Sequence, residues 1–272
     1  MTQPSVSARI AALEAEYGVR LFDRERGSRP VLTRKGAELF AHASRMMALQ
    51  AEAMAALREA GGLHGPIRIG VAETLVHMLL PKILQRLHME HPAVTPDVMT
   101  DVSPNLREAL LAGEIDLALM LGPTGILAAR EITLCTLPIA WAASPDLPFG
   151  NATLSRADLA YFPVLTYARS TAPYADIARL LAASDLPPAR IFPNGSLSAI
   201  VQLAVLGVGI AAIPPAVIAQ ELADGSLRLV ASEMAPPPLH FVACWLDPGL
   251  GLASEIAGLA QDCAGQVCPF PG

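Results

Sequence analysis

Aromatic side chains are scarce in this chain: Phe, Trp and Tyr make up 5% of 272 residues, although hydrophobic residues reach 53%. An aliphatic interior rich in Ala and Leu follows, and the length allows one sizeable core or two. Charge is thin as well, at 16%, so each ionisable residue carries individual weight. The net charge of −6 excludes a protein coated for nucleic acid along its whole length. The first residues are polar and no apolar leader follows, so no signal peptide is expected. Cys135, Cys244, Cys263 and Cys268 form no CxxC pair and have no histidine at ligand spacing. Reduced thiols in the cytoplasm are therefore expected, rather than a disulfide framework or a zinc site. The apolar run from Ser198 to Ala219 approaches membrane length. Gln202, Gly207, Gly209 and Pro214-Pro215 interrupt it, so it reads as helix, glycine turn, buried strand and helix start, with no membrane partner.

Enzyme signatures are missing too. "GVGIAA" from Gly207 fits GxGxxA, but it precedes a strand instead of opening a helix, which a dinucleotide loop requires. "HMEH" at His88–His91 ends an amphipathic helix just before Pro92, so a solvated surface is expected there and not a metal site. No nucleophile elbow, P-loop or Cys–His pairing occurs. Catalytic residues, metals and cofactors are not expected.

What is present begins with "MTQPSVSARIAALEAEYGVRLFDR". Ser5 can cap a helix, and Val6, Ile10, Leu13 and Tyr17 follow at helical spacing before Gly18. Ser7, Arg9 and Glu14 lie between them. Residues 1–36 hold seven basic residues against four acidic ones, a net of +3 that leaves −9 for the remainder. A basic head on an acidic body suggests an anionic partner for the head alone, although a solvated arginine-rich loop gives the same count. "GVRLFDRERGSRPVLT" has the short apolar pairs of a small β-hairpin. From Thr33, a plausible cap, a long helix is predicted as far as Gly61-Gly62. Along it Phe40, Ala43, Met47, Gln50, Met54 and Leu57 step by three and four, a coiled-coil-like seam. The seam could pack on the chain's own body. The change of composition on either side of the helix favours a partner helix.

The rest alternates strand and helix. "PIRIGVAETLVHMLLPKILQRL" predicts a strand over Ile67–Val71 and a helix from about Thr74. "TPDVMTDVSPNLREALLAGEIDLALML" predicts a strand ending near Val102 and a helix with Ser103 at its cap and Pro104 first. Gly113 ends that helix, and a buried strand follows over Leu117–Leu121. Strand–helix–strand units imply right-handed crossovers and parallel pairing. Near Pro138 the pattern resets. "FPVLTYARSTAPYADIARLLAAS" and "RIFPNGSLSAIVQLAVLGVGIAAIP" give a second set, and "LHFVACWL" is a late strand able to return to the first. Two α/β lobes joined by crossing strands are expected.

"TQPSVSARIAALEAEYGVRLFDR", "LTRKG", the long helix, "GEIDLAL" and "GVGIAAIP" together resemble the LysR-type transcriptional regulators, over essentially the whole chain. The resemblance implies an α/β protein with a partial winged helix-turn-helix over 1–32 and a linker and dimerisation helix over 33–62. A two-lobed effector domain like the periplasmic binding proteins would cover 66–272, with lobe I at about 66–138 plus 239–272 and lobe II at about 139–238. A family member carries one whole helix and the first helix of the helix-turn-helix ahead of this point, so Met1 is expected to sit where the turn should be. A recognition helix would place Thr2, Gln3, Pro4, Ser5, Ser7 and Arg9 at DNA, with Arg29 on the wing. Gln3 suits adenine, and Arg9 suits a phosphate or a guanine. Thr2 and Ser5 can also serve as caps. Phe40, Ala43, Met47, Met54 and Leu57 would pair two chains into a homodimer, and the family adds homotetramers.

In open parallel sheets ligands sit beyond the carboxyl ends of strands, where helix N-termini face the gap. Four such ends carry Ser or Thr: Glu73-Thr74, Ser103, Ser170-Thr171, and Ser196 to Ser198. Each alone reads as an ordinary cap; four at equivalent positions suggest a small anion or zwitterion site. Arg169 is the basic residue at such an end and could clamp a carboxylate. Glu73 would repel an anion or bind an amine. The expected function is a cytoplasmic regulator that in its full-length form binds promoter DNA and responds to a small, carboxylate-bearing metabolite; without the helices ahead of Met1, DNA binding is expected to be weak or absent. The alternative is a stand-alone solute-binding protein, against which the basic front and the missing leader both count.

Overall fold

The computed structural model describes residues 3–23, 31–40, 42–43, 46, 63–127, 129–149, 153–182, 188–246 and 251–267. The chain falls into two compact units, Met1–Gly61 with Leu111–Glu114, and Gly62–Leu110 with Ile115–Gly272.

In the front unit, α1 (Gln3–Tyr17) ends at Gly18, whose φ of 64° is the left-handed turn that glycine makes without strain. β1 (Phe22–Asp23) and β2 (Val31–Leu32) pair antiparallel as a minimal hairpin. The Glu14 carboxylate accepts from the backbone N–H groups of Leu21 (2.7 Å) and Phe22 (3.2 Å), which ties α1 to that hairpin. α2 is helical over residues 34–40. Thr33 caps it as its sequence suggests: its hydroxyl accepts from Gly36 N–H at 3.0 Å and donates to the Arg20 carbonyl at 2.7 Å. Gly36 is obligatory, because a Cβ there would lie 1.9 Å from the Leu21 carbonyl oxygen. On the apolar stripe of α1, Ile10 is half-buried, and Leu13 and Tyr17 are exposed.

The body holds two five-stranded sheets. The first contains β3 (Gly65–Ala72), β4 (Val94–Asp101), β5 (Leu117–Leu121), β6 (Arg130–Leu137) and β12 (Leu239–Trp245), in the order β4-β3-β5-β12-β6. The second contains β7 (Ala140–Ala143), β8 (Val164–Tyr167), β9 (Ile191–Asn194), β10 (Ile210–Ile213) and β11 (Arg228–Val230), in the order β11-β7-β10-β8-β9. Around them lie α3 (Glu73–Val76), α4 (Leu80–Glu90), α5 (Ser103–Ala112), α6 (Arg156–Tyr161), α7 (Ala172–Leu181), α8 (Leu197–Val205), α9 (Ala219–Asp224) and α10 (Leu252–Val267).

Strands linked through helices pair parallel, β3 with β4 and β5, and β8 with β9 and β10. β12 and β7 run antiparallel to their neighbours. Each of those two is entered from the opposite sheet rather than through a right-handed crossover, so the sheets are mixed and not purely parallel. The central strands β5, β10 and β12 are buried almost throughout, hence their near-continuous hydrophobic sequences. β4 is an edge strand, exposed at Thr95–Asp97, which accommodates Pro96. "GVGIAA" enters β10 as expected. Gly209 there has no alternative, since a Cβ would stand 2.2 Å from the Pro163 carbonyl oxygen.

"GEIDLAL" has a structural explanation. Asp116 accepts from Arg68 through its backbone N–H (2.8 Å), Nε (3.1 Å) and Nη2 (2.6 Å), and so locks β5 to β3 in register. Both side chains are about one-third exposed, so solvent weakens the pair. Asp116→Ala is expected to lower unfolding free energy by about 1–2 kcal/mol, from the loss of these charge-assisted bonds to Arg68. Urea unfolding checks this, and an unchanged midpoint would show the bridge to be dispensable.

Candidate functional site

Both sheets of the body end their parallel strands on one cavity. From the first sheet come Ala72, Glu73 and Thr74 after β3, Asp101 and Ser103 after β4, and the apolar Leu121, Leu239 and Phe241. From the second come Tyr167, Ala168 and Thr171 after β8, and Asn194 and Gly195 after β9. The α5, α7 and α8 helices begin at these loops, so their N-termini, with free amides and positive dipole ends, face the same space. The cavity volume is about 40 Å³. That is room for roughly three waters, far below the roughly 300–1,000 Å³ of a drug-sized site.

The polar groups are held in specific ways. The Ser103 hydroxyl accepts from Leu121 N–H at 3.1 Å and keeps its own proton for another partner. The Thr171 hydroxyl donates to the Ala168 carbonyl at 2.7 Å. Ser196 caps α8, accepting from Ala199 N–H at 3.4 Å, and donates to Glu73 Oε1 at 3.2 Å. This bond joins the loop after β3 to the helix after β9, across the two sheets. Asp101 is internally engaged, its Oδ1 accepting from Val102 N–H (2.7 Å) and Asn105 Nδ2 (2.9 Å).

Tyr167 stands out. Its hydroxyl is buried and has no partner at hydrogen-bonding geometry. Burial pushes its ionisation far upward; the Thr74 hydroxyl alongside opposes this and the Glu73 charge adds to it. The phenol therefore stays neutral, buried beside the Thr74 hydroxyl.

Of the residues expected at the site, Glu73, Thr74, Ser103 and Thr171 line the cavity, and Ser196 reaches it through Glu73. Three expectations are corrected. Arg169 is exposed and turned outward, with Nη1 donating to the Tyr174 hydroxyl at 2.7 Å and the guanidinium 5.4 Å from that ring's centre. It is not a clamp in the cavity. Ser170 is exposed in the turn before α7, which Thr171 begins instead. Ser198 lies on the outer face of the first turn of α8. Sequence reasoning missed Tyr167 and Asp101. Both are the last residues of their strands, a position that could have flagged them.

Elsewhere, Gln3, Pro4, Ser5, Ser7 and Arg9 lie on α1, and Arg9 is exposed. Thr2 and Arg29 fall outside the described residues. Phe40 is 61% exposed and Ala43 is exposed as well; Met47, Met54 and Leu57 lie outside the described residues. His88 sits on the exposed last turn of α4, and among the described residues no His, Cys, Asp and Glu cluster could hold a metal. Cys135, Cys244 and Cys263 are buried and outside any disulfide among the described residues, and burial pushes the Cys244 and Cys263 thiols up, away from the reactive thiolate; Cys268 lies outside the described residues. Among the described residues no helix is long and apolar enough to cross a membrane.

Comparison with known proteins agrees with this division. Residues 60–250 match the LysR substrate binding domain, and residues 1–37 match the bacterial regulatory helix-turn-helix protein of the lysR family. The uncharacterized HTH-type transcriptional regulator YusT of Bacillus subtilis is 29% identical over 84% of this chain and 75% of its own length. A probable hydrogen peroxide-inducible genes activator of Streptomyces viridosporus is 27% identical over 96% of this chain and 84% of its own. Among solved structures, ArgP from Mycobacterium tuberculosis superposes with a TM-score of 0.77 at 20% identity, covering 98% of this chain and 90% of that one. Full-length LysG from Corynebacterium glutamicum, with bound effector Arg, gives 0.70 at 18% identity with the same coverage.

Proposed function

Since the chain belongs to the LysR family of transcriptional regulators, DNA-binding proteins that respond to small-molecule effectors, we propose that the cavity at the strand ends of its body is where its effector binds. The convergence of three helix N-termini with Glu73, Thr74 and Asn194 on one cavity carries this reading. Water does not need so many oriented groups in one place, whereas a ligand is oriented by a few fixed polar groups on an apolar wall. The Ser196–Glu73 bond couples the two sheets, so a ligand that alters it changes how they sit together, which is what a switch requires.

On the same reading, α1 meets DNA through Gln3, Pro4, Ser5, Ser7 and Arg9, and the seam starting at Phe40 and Ala43 joins two copies. The protein would regulate in the cytoplasm without catalysing a reaction. A stand-alone solute binder would have no use for a basic front unit.

A thermal-shift screen of the full chain against a small-metabolite library tests the site, because a ligand that binds the folded state raises Tm by mass action. Ser103→Phe fills the cavity from its rim. At least one compound is expected to raise Tm by several degrees and to change affinity for the chain's own promoter DNA, and Ser103→Phe is expected to abolish both responses while remaining folded. Retention of both responses in Ser103→Phe would move the effector site elsewhere.

A further inference from the structure

We infer that Glu14 is a positioning residue for DNA recognition: its carboxylate fixes the direction of α1 against the β1–β2 hairpin, so that both reach one duplex together. The inference rests on the reading of α1 as the helix that meets DNA, and names what orients it.

The position of Glu14 is the first argument. It stands four residues after Ile10 and three before Tyr17, on the apolar face of α1. A half-buried carboxylate on such a face needs bonded partners. Backbone amides supply them: Glu14 Oε1 accepts from Leu21 N–H at 2.7 Å and Phe22 N–H at 3.2 Å. The same segment is held from its other side by the start of α2. The Arg20 carbonyl accepts from the Thr33 hydroxyl at 2.7 Å, and the Leu21 carbonyl from Thr33 N–H at 3.0 Å. Arg20–Phe22 is thus the junction that joins α1, the hairpin and α2.

The second argument is how little else sets the angle. Among the side chains described between residues 9 and 46, that of Leu21 is the buried one. The direction of α1 therefore depends on a few hydrogen bonds, and the two at Glu14 are charge-assisted, the stronger kind. The lever is long as well. Gln3 and Glu14 are separated by about 16 Å along the helix axis, at ~1.5 Å per residue. A tilt of about 10° at Glu14 carries the Gln3 backbone about 3 Å over that length. That displacement exceeds what a hydrogen bond to a base edge tolerates. Phosphate contacts set the register in which bases are read, and the segment joining β1 to β2 carries Arg24, Arg26 and Arg29. A fixed angle between α1 and the hairpin lets one docking satisfy both.

Glu14→Ala and Glu14→Gln test this, because they remove the same negative charge. Both amides bond to one oxygen, so the single carbonyl oxygen of a glutamine can still accept from both. Charge alone predicts tighter DNA binding in both variants; positioning predicts that they differ. Fluorescence anisotropy of the full chain at low salt compares promoter and scrambled duplexes. Glu14→Ala is expected to lower the ratio of promoter to scrambled affinity by about tenfold or more, with affinity for the scrambled duplex unchanged or raised. Glu14→Gln is expected to keep most of that ratio. Hydrogen exchange of the free protein reads the geometry without DNA. The Leu21 and Phe22 amides are expected to exchange at least about tenfold faster in Glu14→Ala, while those of β5 keep their rates. The inference is overturned if Glu14→Ala keeps the promoter preference, if both variants lose it equally, or if the two amides exchange as slowly as in the parent. Equal weakening on both duplexes marks a collapsed front unit and overturns it too. Arg9→Ala separates the two levels of failure. A parent without promoter preference, or promoter binding that ignores Arg9→Ala, refutes α1 as the helix that meets DNA. A preference that depends on Arg9 and not on Glu14 refutes the positioning alone.

Discussion

If the proposed seam pairs two chains, Phe40→Glu is expected to leave the protein a monomer at micromolar concentration. Phe40 is the first residue of the proposed seam and is 61% exposed within one chain. In a two-fold pairing each chain contributes its Phe40, so a single substitution places two carboxylates in the seam. A buried charge without a partner costs about 3–5 kcal/mol, and each 1.4 kcal/mol is about tenfold in dissociation constant. Even one such penalty weakens pairing by roughly two to four orders of magnitude. Phe40→Leu keeps an apolar side chain of smaller size and is expected to retain the dimer. Sedimentation equilibrium distinguishes these outcomes. A Phe40→Glu protein that remains a dimer with unchanged affinity would place the assembly surface outside this seam.

The fold was legible wherever burial leaves a one-dimensional trace. Leu117–Leu121 is apolar without a break because β5 is central in its sheet and covered on both faces, and it was read to the residue. Thr33 as a cap followed from local chemistry that needs no tertiary knowledge. The directions of β7 and β12 did not follow, since antiparallel entry from the other sheet depends on how the two sheets are joined and leaves no mark in either strand's own pattern.

The candidate site divides in the same way. The strand-to-helix junctions that the sequence marks meet at the cavity, because a cap residue is a local signal. Which side chain at each junction turns inward was not legible. Arg169 and Tyr167 are two residues apart at the end of one strand, yet Tyr167 faces the cavity and Arg169 takes the Tyr174 hydroxyl outside it. Between them the strand ends and the backbone enters a turn, so the alternation that decides facing in a strand no longer applies. The loss of Arg169 changes the chemistry of the site, since it leaves Glu73 and Asp101 as its charged groups.

Arg9→Glu is expected to reduce affinity for promoter DNA by at least a hundredfold in a protein that still folds and dimerises. Arg9 is exposed on α1, in the basic head of a chain whose net charge is −6. DNA affinity therefore depends on a few cations rather than on a general positive field. Each phosphate neutralised releases counterions and adds about −0.9 to the slope of log K against log salt. Two Arg9 side chains per bound dimer give a loss of about two units in that slope on reversal, with repulsion between glutamate and phosphate added at low salt. Arg9→Ala is expected to show the same change of slope with a smaller loss of affinity. Gln3→Ala is the informative contrast. If Gln3 reads adenine, the substitution costs about 1–3 kcal/mol per half-site on the preferred sequence, with little effect on non-specific DNA and no change of slope. Fluorescence anisotropy over a salt series, on promoter and scrambled duplexes, separates the two roles. Equal losses on both duplexes for Gln3→Ala, or an unchanged slope for Arg9→Glu, would remove α1 from the DNA interface, because a helix lying in the major groove must present both a positioning charge and a reading edge.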